Sequence, residues 1–280
     1  MAARLGLILW VFYLLATAPA AAQAVDADAN RFRGDYVPPV NAAHQPLYEN
    51  LKKERVLERL SEFLSPFRLP RDLTMRVEGC DGRVNAYYED AVVTVCYEYI
   101  DFIYRNVTQT TTSAGLEPDE AALGPIFDVF LHEVGHAVFD MLQIPITGRE
   151  EDAADQFSAY ILLQLSGEES RILILGIATL ARKEAEMALT TAPQFTDFAD
   201  VHGHAAQRYF NVVCMAYGRD PQLFADATRI GLLTPERAAS CGSEYAQFEH
   251  AFQTLILPHV DNRLFKTVRA RKWLKPELAN

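Results

Sequence analysis

The stretch from Pro125 to Leu142 reads PIFDVFLHEVGHAVFDML. Nearly every position is apolar except Asp128, His132, Glu133, His136 and Asp140. A segment of this length with so few polar residues reads as a helix inside a protein. Apart from Glu133, the exceptions recur every fourth residue. At 3.6 residues per turn, Asp128, His132, His136 and Asp140 then share one narrow stripe, with Glu133 about 100° round from His132. The stretch specifies a buried helix with a single polar seam.

His132-Glu133-Val134-Gly135-His136 is an H-E-x-x-H motif. Imidazoles one turn apart can hold a single zinc from one side, and the glutamate between them reaches the attacking water as general base. The bland alternative is a pair of histidines satisfied within a polar seam. The next helix weighs against it. A catalytic zinc needs a third protein ligand and an open position. Glu150-Glu151-Asp152-Ala153-Ala154-Asp155 opens a second helix close enough downstream to return beside the first. Glu151 and Asp155 are four apart and share a face, so Glu151 can bind the metal while Asp155 accepts the N–H of a liganding histidine and orients it. Glu150 is the competing ligand, and acids in a first turn also answer to the helix dipole alone.

Working outward, residues 72–104 contain two β-rich runs, LTMRVEG and VNAYYEDAVVTVCYEYI, with Gly79, Asp81 and Gly82 forming a turn between them. This predicts a small antiparallel sheet. Between Leu47 and Phe67, Leu51, Val56, Leu57, Leu60 and Leu64 line one side of an amphipathic helix. From Pro118 onward the pattern is helical over about 118–142, 150–166, 168–190, 197–217 and 234–257. Strands first and helices after define an α+β domain, a small antiparallel sheet followed by a mainly helical body. Its span is 44–280, with the sheet-containing part about 44–145 and the helical part about 146–280. Residues 25–43 are polar, include Pro38 and Pro39, and read as a flexible arm. Gly135 costs about 1 kcal/mol relative to alanine in a helix interior, which predicts a close approach there by the sheet.

The chain has 280 residues, half of them hydrophobic, enough for a real core. Its 26 Lys and Arg against 37 Asp and Glu give a formal charge of −11, which argues against sequence-independent nucleic-acid binding and against anionic membrane surfaces. Arg4 precedes an apolar run, LGLILWVFYLL, and Ala22-Gln23-Ala24 fits a small-residue cleavage site. Residues 1–24 therefore read as a secretory signal peptide, with an uncleaved anchor as the alternative. No stable membrane span remains after its removal, and export would place the protein in a periplasm or outside the cell. An oxidising compartment lets Cys80, Cys96, Cys214 and Cys241 pair. Of three possible connectivities, sequence neighbours suggest Cys80 with Cys96 and Cys214 with Cys241, each worth about 3 kcal/mol if unstrained.

The combination of H-E-x-x-H with a downstream E-x-x-x-D, Glu151 to Asp155, resembles the gluzincin metallopeptidases of the thermolysin kind. More closely, NAYYED, VCYEY, LHEVGHAVFD, GREEDAADQ and QRYFNVVCMAYGRDP look like a bacterial putative metallopeptidase family, over most of residues 78–225. The resemblance implies a zincin-like fold, a Zn2+ cofactor and a peptide or protein substrate. It also implies that the segment containing Asn85 and Ala86 is an edge strand that pairs with an extended substrate.

Hydrolysis further needs donors for the oxyanion that develops on the carbonyl. In DVHGHAAQRY, residues 200–209, His202 is favoured over His204, with Asp200 orienting it and Tyr209 as a second donor. Thermolysin-like enzymes similarly place a histidine after the third ligand. The function expected is zinc-dependent hydrolysis of peptide bonds with Glu133 as general base. The rivals are an exported zinc-binding protein or chaperone without useful turnover, and a zinc hydrolase of a non-peptide ester or amide.

Overall fold

The computed structural model describes residues 30–107, 110–112 and 114–274. The expected signal peptide, and the first residues of the expected arm, lie outside them. The chain forms β1 (Phe32–Tyr36), α1 (Gln45–Lys53), α2 (Val56–Leu64), β2 (Leu73–Glu78), β3 (Ala86–Glu89), β4 (Val92–Cys96) and α3 (Tyr97–Val107). After these come α4 (Pro118–Met141), α5 (Glu150–Leu162), α6 (Gly167–Ala188), α7 (Ala205–Arg219), α8 (Asp226–Arg229), α9 (Pro235–Ala251) and α10 (Asn262–Arg269). The architecture is α+β, with a small sheet against a larger helical body.

The sheet is mixed, not antiparallel, in the order β1-β2-β4-β3. β2 pairs in parallel with both β1 and β4, and only β3 runs antiparallel to β4. Residues 79–85 form a crossover, not a hairpin turn, and carry the chain past the place that β4 will fill. The true hairpin turn is Asp90-Ala91, both at positive φ (48° and 64°), the backbone a two-residue hairpin loop demands. Buried Glu98 fixes the crossover by accepting the backbone N–H groups of Cys80 and Gly82, each at 3.0 Å. The Cys80–Cys96 disulfide closes it, with Cα atoms 5.6 Å apart.

The segment expected to be a flexible arm is also corrected. Phe32 is buried and its strand adds to the edge of β2, so a non-local pairing overrides a locally polar sequence. The single helix expected near 47–67 is two, broken at Arg55, which adopts left-handed backbone (φ 54°). The run ending in VCYEYI is strand only as far as Cys96 and turns directly into α3.

α4 is the central element, buried along most of its 24 residues. Glu117 and Glu120 cap its first turn reciprocally. It packs closely on α6 at two glycines: a Cβ on Gly124 would stand 2.0 Å from the Leu173 carbonyl oxygen, and one on Gly176 2.7 Å from that of Ala121. Pro125 removes the helical donor to Ala121, so the carbonyl it frees is the one facing Gly176. Gly135 meets α5 and not the sheet, since an added Cβ would lie 3.3 Å from both Ala154 Cα and the Phe157 ring. The missing side chain sets the spacing of the two helices that carry the polar seam. The Cys214–Cys241 disulfide ties α7 to α9, with Cα atoms 5.0 Å apart.

Candidate metal centre

α4 brings His132 and His136 to one side, and α5 returns antiparallel to bring Glu151 and Asp155 against them. His132 Nε2 lies 3.1 Å from Glu151 Oε2 and 3.2 Å from His136 Nε2, and His136 Nε2 lies 3.4 Å from the same carboxylate oxygen. Donor atoms about 2.0–2.1 Å from a tetrahedral zinc stand roughly 3.3–3.4 Å from one another. The triangle therefore has the dimensions of one face of such a site. Two imidazole nitrogens aimed at each other across 3.2 Å repel unless a proton or a cation sits between them, so the donor set fits a metal.

Each histidine is backed by a carboxylate on its other nitrogen. His132 Nδ1–H donates to Asp155 at 2.8 Å, and His136 Nδ1–H to Glu150 at 2.8 Å. Glu150 thus lies on the far side of His136 from the converging nitrogens. From the loop before α7, His202 points Nε2 at Glu151 Oε2 (3.1 Å), while its Nδ1 meets Asp200 at 3.1 Å. Such pairing fixes the ring orientation and leaves each Nε2 free to bind.

The electrostatics mirror the contacts. The hydrogen bond from His132, together with the neighbouring histidines, holds Glu151 down to about 2 despite partial burial. Burial alone would push Asp155 up, but Arg208 grips it with two hydrogen bonds (2.8 and 2.6 Å), and with His132 this keeps the carboxyl well below the ordinary range. Glu133 is buried beside the histidines, and burial raises its pKa.

A cavity of about 220 Å³ lies over the seam, lined by Asn85, Ala86, His132, Glu133, His202 and Arg208 among others. Because β3 is an edge strand, its free side begins at Ala86, which lines this cavity beside Asn85, whose backbone carbonyl accepts from Cys96 N–H on the β4 side. Tyr209 does not belong to this site. Its side chain is buried beside Arg182 and is not part of the cavity wall. α7 turns the preceding residue, Arg208, inward instead. His204 caps α7 through its Nδ1 and is likewise not part of the wall.

Four polar residues of the wall carry no assignment from the sequence: Asp128, Tyr99, Glu184 and Arg208. Asp128 gave a signal, as the first member of the four-residue stripe. Arg208 reaches Asp155 from 53 positions away, a partnership that no local pattern encodes.

An α+β fold whose buried H-E-x-x-H helix faces a carboxylate-bearing helix brings together a donor set that could hold a metal ion. Residues 36–256 match the family described as putative metallopeptidase, and the chain belongs to that family. No curated protein and no solved structure matches it. The description accords with a metal-dependent peptidase acting on peptides or proteins. Two disulfides accord with an exported protein, and no helix among the described residues is long and apolar enough to cross a membrane.

Proposed function

We propose that the protein is an exported, periplasmic or secreted, zinc-dependent peptidase of gluzincin type. Residues 44–280, joined by β1, would form its zincin-like domain. His132, His136 and Glu151 hold the metal, and Asp155 and Glu150 orient the two α4 imidazoles. One observation carries the reading: three Nε2 atoms, each on a ring whose Nδ1 is paired with a carboxylate, converge on the same oxygen of Glu151. Two imidazoles and a carboxylate suit zinc, which when bound acidifies its water toward pH 7 and polarises the scissile carbonyl.

The protein's own residues do the rest. The free edge of β3 at Ala86 pairs with an extended substrate, with the Asn85 side chain beside it, and aligns it with the seam. Glu133, its proton affinity raised by burial, takes the proton of the attacking water and passes it to the leaving amine. His202, braced by Asp200, donates to the oxyanion. The test is mass-spectrometric profiling of a diverse peptide library with zinc-loaded protein and with Glu133→Gln. Cleavage by the first and a loss of about 10²–10⁴-fold in the second is expected. Equal cleavage by both would refute the role of Glu133, and cleavage by neither would refute the peptidase reading.

A second reading rests on His202. His132, Glu151 and His202 each offer a ligand atom within 4.8 Å of the others. Were His202 a fourth ligand, the site would be closed, which suits a zinc-binding protein without turnover. His202→Ala separates the two: as oxyanion donor its loss lowers turnover with zinc retained, and as ligand its loss weakens zinc binding.

A further inference from the structure

Apart from Val40 and Val84, the large hydrophobic side chains exposed among the described residues all fall between Met187 and Val201, from the end of α6 into the segment that joins it to α7. Single apolar residues on a surface are ordinary, whereas a group of them marks a surface that meets something else. Closest in sequence to His202 are Phe195, Phe198 and Val201, which are 94%, 61% and 66% exposed. Phe195–Ala199 form a short 3₁₀ helix, and at about three residues per turn Phe195 and Phe198 stand on one face of it. Gln194 and Asp197 cap this turn reciprocally, the Asp197 carboxylate accepting the Gln194 N–H at 2.7 Å. Phe198 also stacks on His204, with ring centroids 5.9 Å apart. Local contacts thus hold two phenyl rings in water, where their burial against a partner would be favourable. The patch is continuous with the cavity over the seam. Asp200, the residue after the turn, accepts the His202 backbone N–H at 2.9 Å and meets its Nδ1 at 3.1 Å, and His202 lines the cavity together with Asn85 and Ala86. Val84, itself exposed, immediately precedes Asn85.

The charge around the patch narrows the partner. No lysine or arginine occurs between Lys183 and Arg208, a stretch that holds Glu184, Glu186, Asp197 and Asp200. That balance disfavours an anionic lipid surface. A second copy of the chain, meeting the patch about a twofold axis, would set Asp197 and Asp200 against their own counterparts. A polypeptide brings bulky apolar side chains without either penalty, and the adjoining cavity is where one would be held. We infer that Phe195, Phe198 and Val201 form a docking surface for bulky apolar side chains of the peptide substrate, beside the cavity that holds Glu133. The inference rests on the peptidase reading and adds the class of substrate to it: extended segments carrying residues such as phenylalanine and leucine, which folded proteins bury and unfolded chains present.

The probe is a set of soluble alanine-rich peptides in which one phenylalanine is moved along the chain, each compared with the parent that has alanine there. Binding is measured by calorimetry to the zinc-loaded full chain carrying Glu133→Gln, so that no peptide is consumed. At one register or more the phenylalanine peptide should bind about tenfold more tightly than its parent. Adding Phe195→Ser with Phe198→Ser should bring that ratio close to one, whereas Phe195→Leu with Phe198→Leu, which keeps an apolar face, should retain most of it. Absence of an apolar preference at every register, a preference that the serine pair leaves intact, or an equal loss in both pairs would overturn the docking surface. So would association with phosphatidylcholine vesicles, or self-association in sedimentation velocity, that the serine pair abolishes while no peptide preference is seen. Cleavage of the same set by the wild-type protein keeps the two readings apart. Cleavage without apolar preference sinks the docking surface alone, whereas phenylalanine-selective binding with no cleavage supports the surface and sinks the hydrolase.

Discussion

Asp155 and Asp128 flank the same histidine, and their surroundings drive them in opposite directions. Asp155, with Arg208 on one side and His132 on the other, is held far below the ordinary carboxylate range. Asp128, where burial dominates and Asp155 repels it, is pushed up to about 6. On the first side every charge has a partner, and the assembly holds His132 in place. On the second, burial and the charge of Asp155 outweigh the Ser158 hydrogen bond and the more distant His132 and Arg208, so ionised Asp128 costs stability. The contrast sets a carboxylate held by ion pairs beside one that has none among the described residues, on either side of one histidine.

The largest effect should come from breaking the paired side. Arg208→Met leaves Asp155 with only His132, and should cost about 3 kcal/mol in urea unfolding of the metal-free protein. It should also weaken zinc binding by about 10–100-fold, because the residue that orients His132 loses its anchor. A loss below about 0.5 kcal/mol would mean that the pair contributes nothing beyond a surface bridge.

The opposite substitution should stabilise. Below about pH 4, Asp128 is protonated in folded and unfolded chains alike and costs nothing. Between about 4 and 6 the unfolded chain releases its proton while the folded one keeps it, so stability falls as pH rises, and above 6 the penalty is complete. Asp128→Asn should therefore raise the stability of the metal-free protein by roughly 2 kcal/mol above pH 6, with the gain vanishing below pH 4. A gain that did not depend on pH would point to packing and not charge.

Asp155 has the reverse sign. Its contribution is present above the unfolded pKa near 4 and is lost as pH falls toward its depressed folded value. In thermal melts below pH 4, Asp155→Asn should thus converge on the wild-type protein, a smaller change than either of the others.

How far the sequence reveals this depends on the range of each interaction. The H-E-x-x-H seam and the Glu151–Asp155 face are legible because both are spacings of three or four residues within a helix, fixed by helical geometry alone. The disulfide partners are legible as sequence neighbours. The parallel pairing of β1 and β2 is not, because a short polar strand such as FRGDY is specified by the edge it joins. Nor is the roll of α7: with Phe210, Val213 and Met215 apolar and Arg208 and Tyr209 adjacent, the local pattern makes Tyr209 as plausible a wall residue as Arg208. Glu184 carries no signal at all, being one acid among several on α6 until the fold sets it opposite Asp128.

The most direct test of the metal centre is the zinc content of the purified full chain by mass spectrometry after dialysis, compared across wild type, Glu150→Ala and Glu151→Ala. The account predicts about one zinc per chain in wild type and in Glu150→Ala, and a marked loss in Glu151→Ala, with all three remaining folded. Full retention of zinc by Glu151→Ala would contradict it.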